Sequence, residues 1–319
     1  MKALAAAALG RIDSLAVRDI PQPEPGPGQV RVRMACSAVN PADFKVLEGQ
    51  FVGRLLHGRP TPMVPGYDVA GVVDALGAGV TDLRVGDRVF GHQQYASSTV
   101  HGAFAEATVL HADALAVLPD NVDFASAAAA ATAGTTTLQA LRDKGRLRAG
   151  QRVLVIGAAG GLGTLGVAIA ARLGAEVTAV CSAAPAELVR SLGATTVLDR
   201  AAAPYASGGP YDVIFDTPAA VTYGEVKGVM AAEGALVTTL PGPALALGML
   251  ATALSRRRVA FVAVRAVRAD LACIAGWLAD GMPVAIDTRF PVREGAAAIE
   301  AAKRGGRTGR LVVDIEGGW

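Results

Sequence analysis

Cysteine is nearly absent: Cys36, Cys181 and Cys273 stand alone in 319 residues, and no C-x-x-C pair occurs. That spacing offers neither a disulfide framework nor a structural zinc lobe, and it predicts a reducing, cytoplasmic setting. Aromatics are also scarce, 5% against 52% hydrophobic residues, so the core is expected to consist of small aliphatics. Charge of one sign is lacking too. The formal net charge of +2 is too mild for a nucleic-acid footprint, which needs a clustered basic face. The one dense basic run, Arg256 to Arg258, reads as the charged end of a helix facing water, because cations suit a helix C-terminus.

No window approaches the ~20 apolar residues of a membrane span, since the Ala-rich region 124–141 carries too many threonines and glycines. The apolar opening MKALAAAALG is followed too soon by Arg11 and Asp13 and has no small-residue cleavage site. It reads as a strand over Met1 to Ala5, not as a signal peptide. His57, His92, His101 and His111 are irregularly spaced, form no i, i+4 pair and join no cysteine. They are expected at scattered surface or turn positions.

What is present divides the chain. Single cores stop growing near roughly 250 to 300 residues, so two units are expected. Residues 1–122 hold short β-branched runs (QVRVRMA, VAGVVDAL, DRVFG, AEATVL) punctuated by Pro and Gly, the texture of a β domain of barrel type. A helical run then begins near Val122, is interrupted near Gly134 and stops at Gly150. After it, RVLVIG, EVTAVCS, TTVLD, YDVIFDT, GALVTTL and RVAFVAV recur as apolar strands, most of them separated by helical stretches such as Thr164 to Leu173 and Pro185 to Leu192. That alternation predicts a parallel sheet covered on both faces, over residues 123–265. The tail, 266–319, holds a helix over Ala269 to Asp280, the strand IDTRF, a helix from Arg293 and a last strand RLVVDI. The last strand is expected to return to the first domain, because the parallel sheet is already complete.

The strongest motif is the strand Val153 to Ile156 followed by Gly157, Ala158, Ala159, Gly160, Gly161, Leu162 and Gly163, then a helix and a second strand. Glycines there let the backbone turn tightly and approach a pyrophosphate, whose charge meets the helix N-terminus. At the end of the second strand an acid would bond the ribose 2′-hydroxyl of NAD. Here Val180 leads to Cys181 and Ser182, with no acid until Glu187, so a 2′-phosphate is tolerated and NADPH is the expected cofactor. Ser182 is its expected donor and Arg200 the nearest cation, although Arg200 also reads as a solvated loop residue.

These residues, with AVNPADFKVLEG, VPGYDVAGVVDALGAGVTDLRVGDRVFG, GAFAEATV, SAAPAELVRSLGA and the closing GRLVV, resemble the medium-chain dehydrogenase/reductase superfamily in its zinc-independent quinone oxidoreductase branch. The resemblance implies an α/β fold: a GroES-like β-barrel catalytic domain over 1–122 and 266–319, and a doubly wound Rossmann NAD(P)-binding domain over 123–265. It also implies a homodimer or homotetramer. Zinc-using relatives hold a metal through a Cys, a His and a further Cys or Asp. Those positions fall on Asn40, on Tyr67 and near Thr132, whose amide, phenol and hydroxyl oxygens replace thiolate and imidazole poorly.

The resemblance places Asn40 at the nicotinamide end of the cleft, as a catalytic and cofactor-binding residue, and Lys45 or Tyr67 against the substrate carbonyl. Lys45 also reads as a salt-bridge partner of Asp43 or Glu48, and Tyr67 as a pocket wall. Thr136 is expected at the nicotinamide or its phosphates; Thr217 with Pro218, and Leu240 with Pro241, at strand ends bordering the nicotinamide. Arg310 stands where the family usually has Lys, as a seal of the domain interface. Without a metal, hydride transfer suits a small-molecule quinone or enone, whose conjugation spreads the developing charge onto an oxygen. Two alternatives accompany this: an enoyl reductase acting in trans on a polyketide or fatty-acyl thioester, with Arg54, Arg59 and the Arg256 to Arg258 run as a sparse basic entrance, and a crystallin-like dinucleotide- or nucleic-acid-binding protein. Neither a nucleic acid nor a membrane is an expected partner.

Overall fold

Proline and glycine between short β-branched runs leave strands too brief for helices, and pairing sorts them into sheets. The computed structural model describes residues 1–7, 12–49, 62–94, 102–202 and 208–319. The first unit runs β1 (Lys2–Ala6), β2 (Leu15–Asp19), β3 (Gln29–Ala38), α1 (Pro41–Leu47), β4 (Asp68–Leu76), β5 (Arg88–His92), β6 (Ala107–His111) and β7 (Leu115–Val117). The opening pair β1 and β2 forms an antiparallel hairpin. The long strand β3 pairs with both β4 and β6, and β5 links β4 to β7.

A helix α2 (Phe124–Leu138) leads into β8 (Arg152–Ile156), α3 (Gly161–Arg172), β9 (Glu176–Cys181), α4 (Ala186–Ser191), β10 (Thr196–Asp199), β11 (Tyr211–Asp216), α5 (Tyr223–Val226), β12 (Met230–Thr238), α6 (Pro243–Thr252) and β13 (Arg258–Phe261). These strands form a six-stranded sheet in the order β10-β9-β8-β11-β12-β13, parallel throughout. The chain then runs through α7 (Arg268–Ala279), β14 (Ile286–Pro291), α8 (Gly295–Arg304) and β15 (Arg310–Asp314). The last strand pairs antiparallel with β3, so the tail does return to the first sheet.

Two expectations about the middle fail. Helix α2 passes through Gly134 without a break: four of the five residues before it, Ala129, Ala130, Ala131 and Ala133, are strong helix formers, and the helix around it is buried. A bare Cα is used there: a Cβ on Gly134 would lie 3.2 Å from Ile274 Cδ1 of α7. The helical run ends in a π-helical turn, Gln139–Lys144, ahead of Gly150. The run Arg256 to Arg258 also lies past its helix. Arg256 pairs with Glu233, Arg257 donates to the Met230 and Ala231 carbonyls, and Arg258 opens β13.

Small side chains let the two units share a core. Ala127 to Ala131 of α2 are fully buried, and one apolar cluster runs from Cys36, Ala70 and Phe90 to Val155 and Phe215. Both crossings between the units are pinned by side chains. Arg88 donates to the Pro119 and Val122 carbonyls at 2.9 and 2.6 Å and lies 4.6 Å over the Phe124 ring. On the return, Gln139 donates to the Arg265 carbonyl at 2.8 Å and accepts from its N–H at 3.1 Å.

Candidate active site

Asn40 ends the turn after β3 and serves as N-cap of α1, with Pro41 at the first helical position, where a missing N–H is harmless. Its backbone N–H donates to Asp43 Oδ2 at 2.6 Å, and Gly66 N–H donates to Asp43 Oδ1 at 2.8 Å. Asp43 therefore ties the start of α1 to the residue before Tyr67. Burial pushes its carboxyl up to about 7, against the pull of those two N–H groups.

The next layer is ionic. Arg310 donates to Asp68 Oδ2 at 2.7 Å and to Asn40 Oδ1 at 3.1 Å; Asn40 Nδ2 donates to Asp68 Oδ2 at 2.8 Å; Thr132 N–H donates to Asp68 Oδ1 at 2.7 Å. Asp68 and Arg310 are 0% and 5% exposed, so this pair holds its charges in the interior. Opposite Asp68 on β5 lies His92. Its Nδ1 is 3.1 Å from the Gln93 carbonyl oxygen, which can only accept, so the proton sits on Nδ1. Burial holds the His92 pKa down and keeps the ring neutral. Three orphaned buried atoms surround this carboxylate: His92 Nε2, Thr132 Oγ1 and Arg310 Nε.

The glycine loop forms the facing wall. Gly157 adopts φ +74°, and a Cβ there would meet Thr217 Oγ1 at 2.7 Å. A Cβ on Gly163 would fall 2.0 Å from the Gly157 carbonyl oxygen, so only glycine lets α3 approach the loop. At Gly160, the N-cap of α3, the nearest atom would be 3.4 Å away, and no side chain caps the helix. A bare helix N-terminus above open space fits a dinucleotide pyrophosphate. The two halves of the site meet directly: Gly309 N–H donates to the Ala159 carbonyl at 2.9 Å, and Arg310 follows into the Asp68 network.

Ala159, Gly160, Gly161 and Leu162 are half-buried along the loop, and Gly163 is buried. Thr136 is half-buried and donates to the Thr132 carbonyl at 2.7 Å, within the same helix that reaches Asp68. Ser182 and Arg200 are exposed at the ends of neighbouring strands, where Cys181 of β9 and Asp199 of β10 are register partners. Asp199 turns its carboxylate to Ala201 N–H. Thr217 donates to the Ile156 carbonyl at 2.8 Å, and Leu240 and Pro241 are exposed just past β12. Tyr67 is buried, with its carbonyl accepting from Gln93 N–H.

Three readings need correction. Lys45 is half-buried but pairs with neither carboxylate expected of it, since Asp43 faces backbone N–H groups and Glu48 pairs with Lys303. His92 is a core residue, whereas His111 is exposed as expected; His57 and His101, like Arg54 and Arg59, lie outside the described residues. Arg310 does more than close an interface, since it carries the buried charge of the floor. The sequence pattern set His92 at a surface or turn position and Arg310 only at the domain interface, and so missed their place around Asp68. The available signal was the Tyr67-Asp68 pair itself, an acid beside the floor that needs a cation somewhere in the chain.

Comparison with known proteins agrees with this architecture. Residues 26–120 match the alcohol dehydrogenase GroES-like domain family, and residues 192–313 the family described as zinc-binding dehydrogenase. The chain is 30% identical to the trans-enoyl reductase pgmF of Aspergillus terreus, over 92% of this chain and 88% of that protein. It is also 30% identical, over 91% of its own residues, to a mycocerosic acid synthase-like polyketide synthase of Mycobacterium tuberculosis, of whose length it spans only 14%. The solved quinone oxidoreductase of Coxiella burnetii superposes with a TM-score of 0.86 at 26% identity, covering 99% of each chain. The chain thus belongs to the medium-chain dehydrogenase/reductase superfamily of nicotinamide dinucleotide-dependent oxidoreductases, in its quinone oxidoreductase branch.

Proposed function

We propose that the protein reduces a small-molecule quinone or α,β-unsaturated carbonyl with NADPH, without a catalytic metal, as a cytoplasmic homodimer. The observation that carries this reading is the donor set of the floor. Asn40 Oδ1 already accepts from a guanidinium, and a cation at that spot opposes Zn²⁺. Tyr67 and Thr132 supply only phenol and hydroxyl oxygens, and no cluster of three or more His, Cys, Asp or Glu suited to a metal occurs among the described residues. The residues therefore do not fit a catalytic zinc.

For the dinucleotide the fit is good. Gly157, Ala159, Gly160, Gly161, Leu162 and Gly163 would carry the pyrophosphate, Ser182 and Arg200 the 2′-phosphate, and Thr136, Thr217, Leu240 and Pro241 the nicotinamide half. When bound, NADPH supplies a hydride; the chain's own residues orient the acceptor and hold the charge that develops on its oxygen. We assign that contact to Lys45, which has no carboxylate partner among the described residues, with Tyr67 as the wall and Asn40 held in place by Asp68 and Arg310. Lys45→Ala is expected to slow single-turnover hydride transfer by about a hundredfold, and Tyr67→Phe by less than threefold. Unchanged rates in both would take these side chains out of the chemistry.

The likeness to pgmF favours one variant of this reading, an enoyl thioester as the α,β-unsaturated acceptor. The test is consumption of NADPH and NADH against quinones, enones and enoyl thioesters, with metal analysis of the same sample. NADPH is expected to give at least a tenfold higher kcat/KM; stoichiometric zinc or a preference for NADH overturns the proposal.

A further inference from the structure

Asp216 is a carboxylate at the centre of the parallel sheet that the site as described does not use. It ends β11, between β8 and β12, and is 0% exposed. No cation among the described residues pairs with it. Its oxygens accept instead from the backbone of the following turn, Oδ1 from Ala220 N–H at 3.1 Å and Oδ2 from Val221 N–H at 2.9 Å. Burial pushes its pKa up while these N–H groups pull it down. A buried acid without a counter-charge is disfavoured unless the turn it gathers is needed.

That turn is itself strained. Wrapping the backbone over the carboxylate puts Ala219 at φ +56°, the left-handed region that an L side chain rarely adopts. Such outliers persist where the surroundings fix them, and they concentrate at functional sites. The surroundings here are specific. Thr217 Oγ1 donates to the Ile156 carbonyl at the end of β8, and Thr239 Oγ1 donates to the Thr217 carbonyl at 2.9 Å from the end of β12. Thr217 and Pro218 stand over Gly157, where a Cβ would come within 2.7 and 2.9 Å of them. The turn is thus fastened to the carboxyl ends of three adjacent strands, and Pro218, Ala219 and Ala220 are exposed above them. Ligands of open α/β sheets lie in that crevice.

We infer that Asp216 and the left-handed Ala219 are positioning residues for hydride transfer: they hold the Thr217 to Ala219 turn in the one shape that borders the nicotinamide half of NADPH. The inference rests on the function proposed above. It predicts an effect confined to that half, because the adenosine end would lie across the sheet at Ser182 and Arg200.

The experiment compares Ala219→Gly, Ala219→Val and Asp216→Asn with wild type in three measurements: affinity for 2′,5′-ADP, affinity for NADPH, and single-turnover hydride transfer. Glycine adopts φ +56° freely, so Ala219→Gly is expected to keep transfer within threefold. Valine resists it, and Ala219→Val is expected to slow transfer at least tenfold and weaken NADPH severalfold, with 2′,5′-ADP affinity within twofold of wild type. Asp216→Asn should follow Ala219→Val, since the amide nitrogen faces N–H donors. If that variant does not fold, the glycine and valine pair still decides. Equal transfer in both Ala219 variants, or a parallel loss of 2′,5′-ADP affinity, overturns the inference. A wild-type protein that does not bind NADPH removes the proposed function and this inference together, whereas a wild type that binds and turns over with Ala219→Val unchanged removes the inference alone.

Discussion

Asp68 and Arg310 stand 242 positions apart and meet as a buried ion pair. Removing one partner of such a pair leaves an uncompensated charge inside the protein. Arg310→Met is expected to destabilise the fold by about 3 to 5 kcal/mol in urea denaturation, and the double variant Asp68→Asn with Arg310→Met to recover most of that loss. Asp43 gives a second prediction, in pH. Its folded pKa of about 7 lies above the ordinary carboxylate value, so its contribution to stability is complete at low pH, where the group is protonated in both states. The contribution falls as pH rises from about 4 through about 7, and Asp43→Asn should abolish that slope when stability is measured across the range. The sequence displayed Asn40 and Tyr67 as a pair through the resemblance to zinc-using relatives. That Arg310 would reach Asp68 and Asn40 was hidden, because a 242-residue separation carries no local signal and burial is a property of packing.

At the level of elements, the strands were legible because each parallel strand is a short apolar β-branched run, and the glycine loop because its turn demands glycine. Gly134 misled because glycine usually ends helices, whereas here it lets α2 pass Ile274 closely. The same distinction between glycines yields a test of the loop. Gly163→Ala drives a Cβ into the Gly157 carbonyl, and it should lower both stability and dinucleotide affinity. Gly160→Ala makes a single ordinary contact, 3.4 Å to the Gly157 carbonyl oxygen, and should leave the melting temperature within about 2 °C, a shift worth under 1 kcal/mol. Its methyl group would occupy the space a pyrophosphate needs, so NADPH affinity is expected to fall at least tenfold. Equal affinity in Gly160→Ala and wild type, read by titration of NADPH fluorescence, would move the phosphate elsewhere.

At the level of the whole molecule, the exposed apolar side chains are unevenly distributed. Leu247, Met249, Leu250 and Leu254 gather on and just past α6, with Leu254 fully exposed. The inner face of α6 is spent on β13, since a Cβ on Gly248 would lie 3.0 Å from Val259 Cγ1. Strand β13 in turn ends the parallel sheet. In the proposed homodimer, a second copy set antiparallel on β13 about a two-fold axis would continue the sheet and cover the leucines. Because the axis counts every substitution twice, charging one buried leucine removes about 3 kcal/mol or more, at least a hundredfold in Kd. Leu250→Glu combined with Leu254→Glu is therefore expected to turn a micromolar sample from dimer to monomer in sedimentation equilibrium. Hydride transfer should persist, since Asn40, Lys45 and the glycine loop all belong to one chain. A wild-type protein that sediments as a monomer at that concentration would refute the dimer and leave the leucines to another partner.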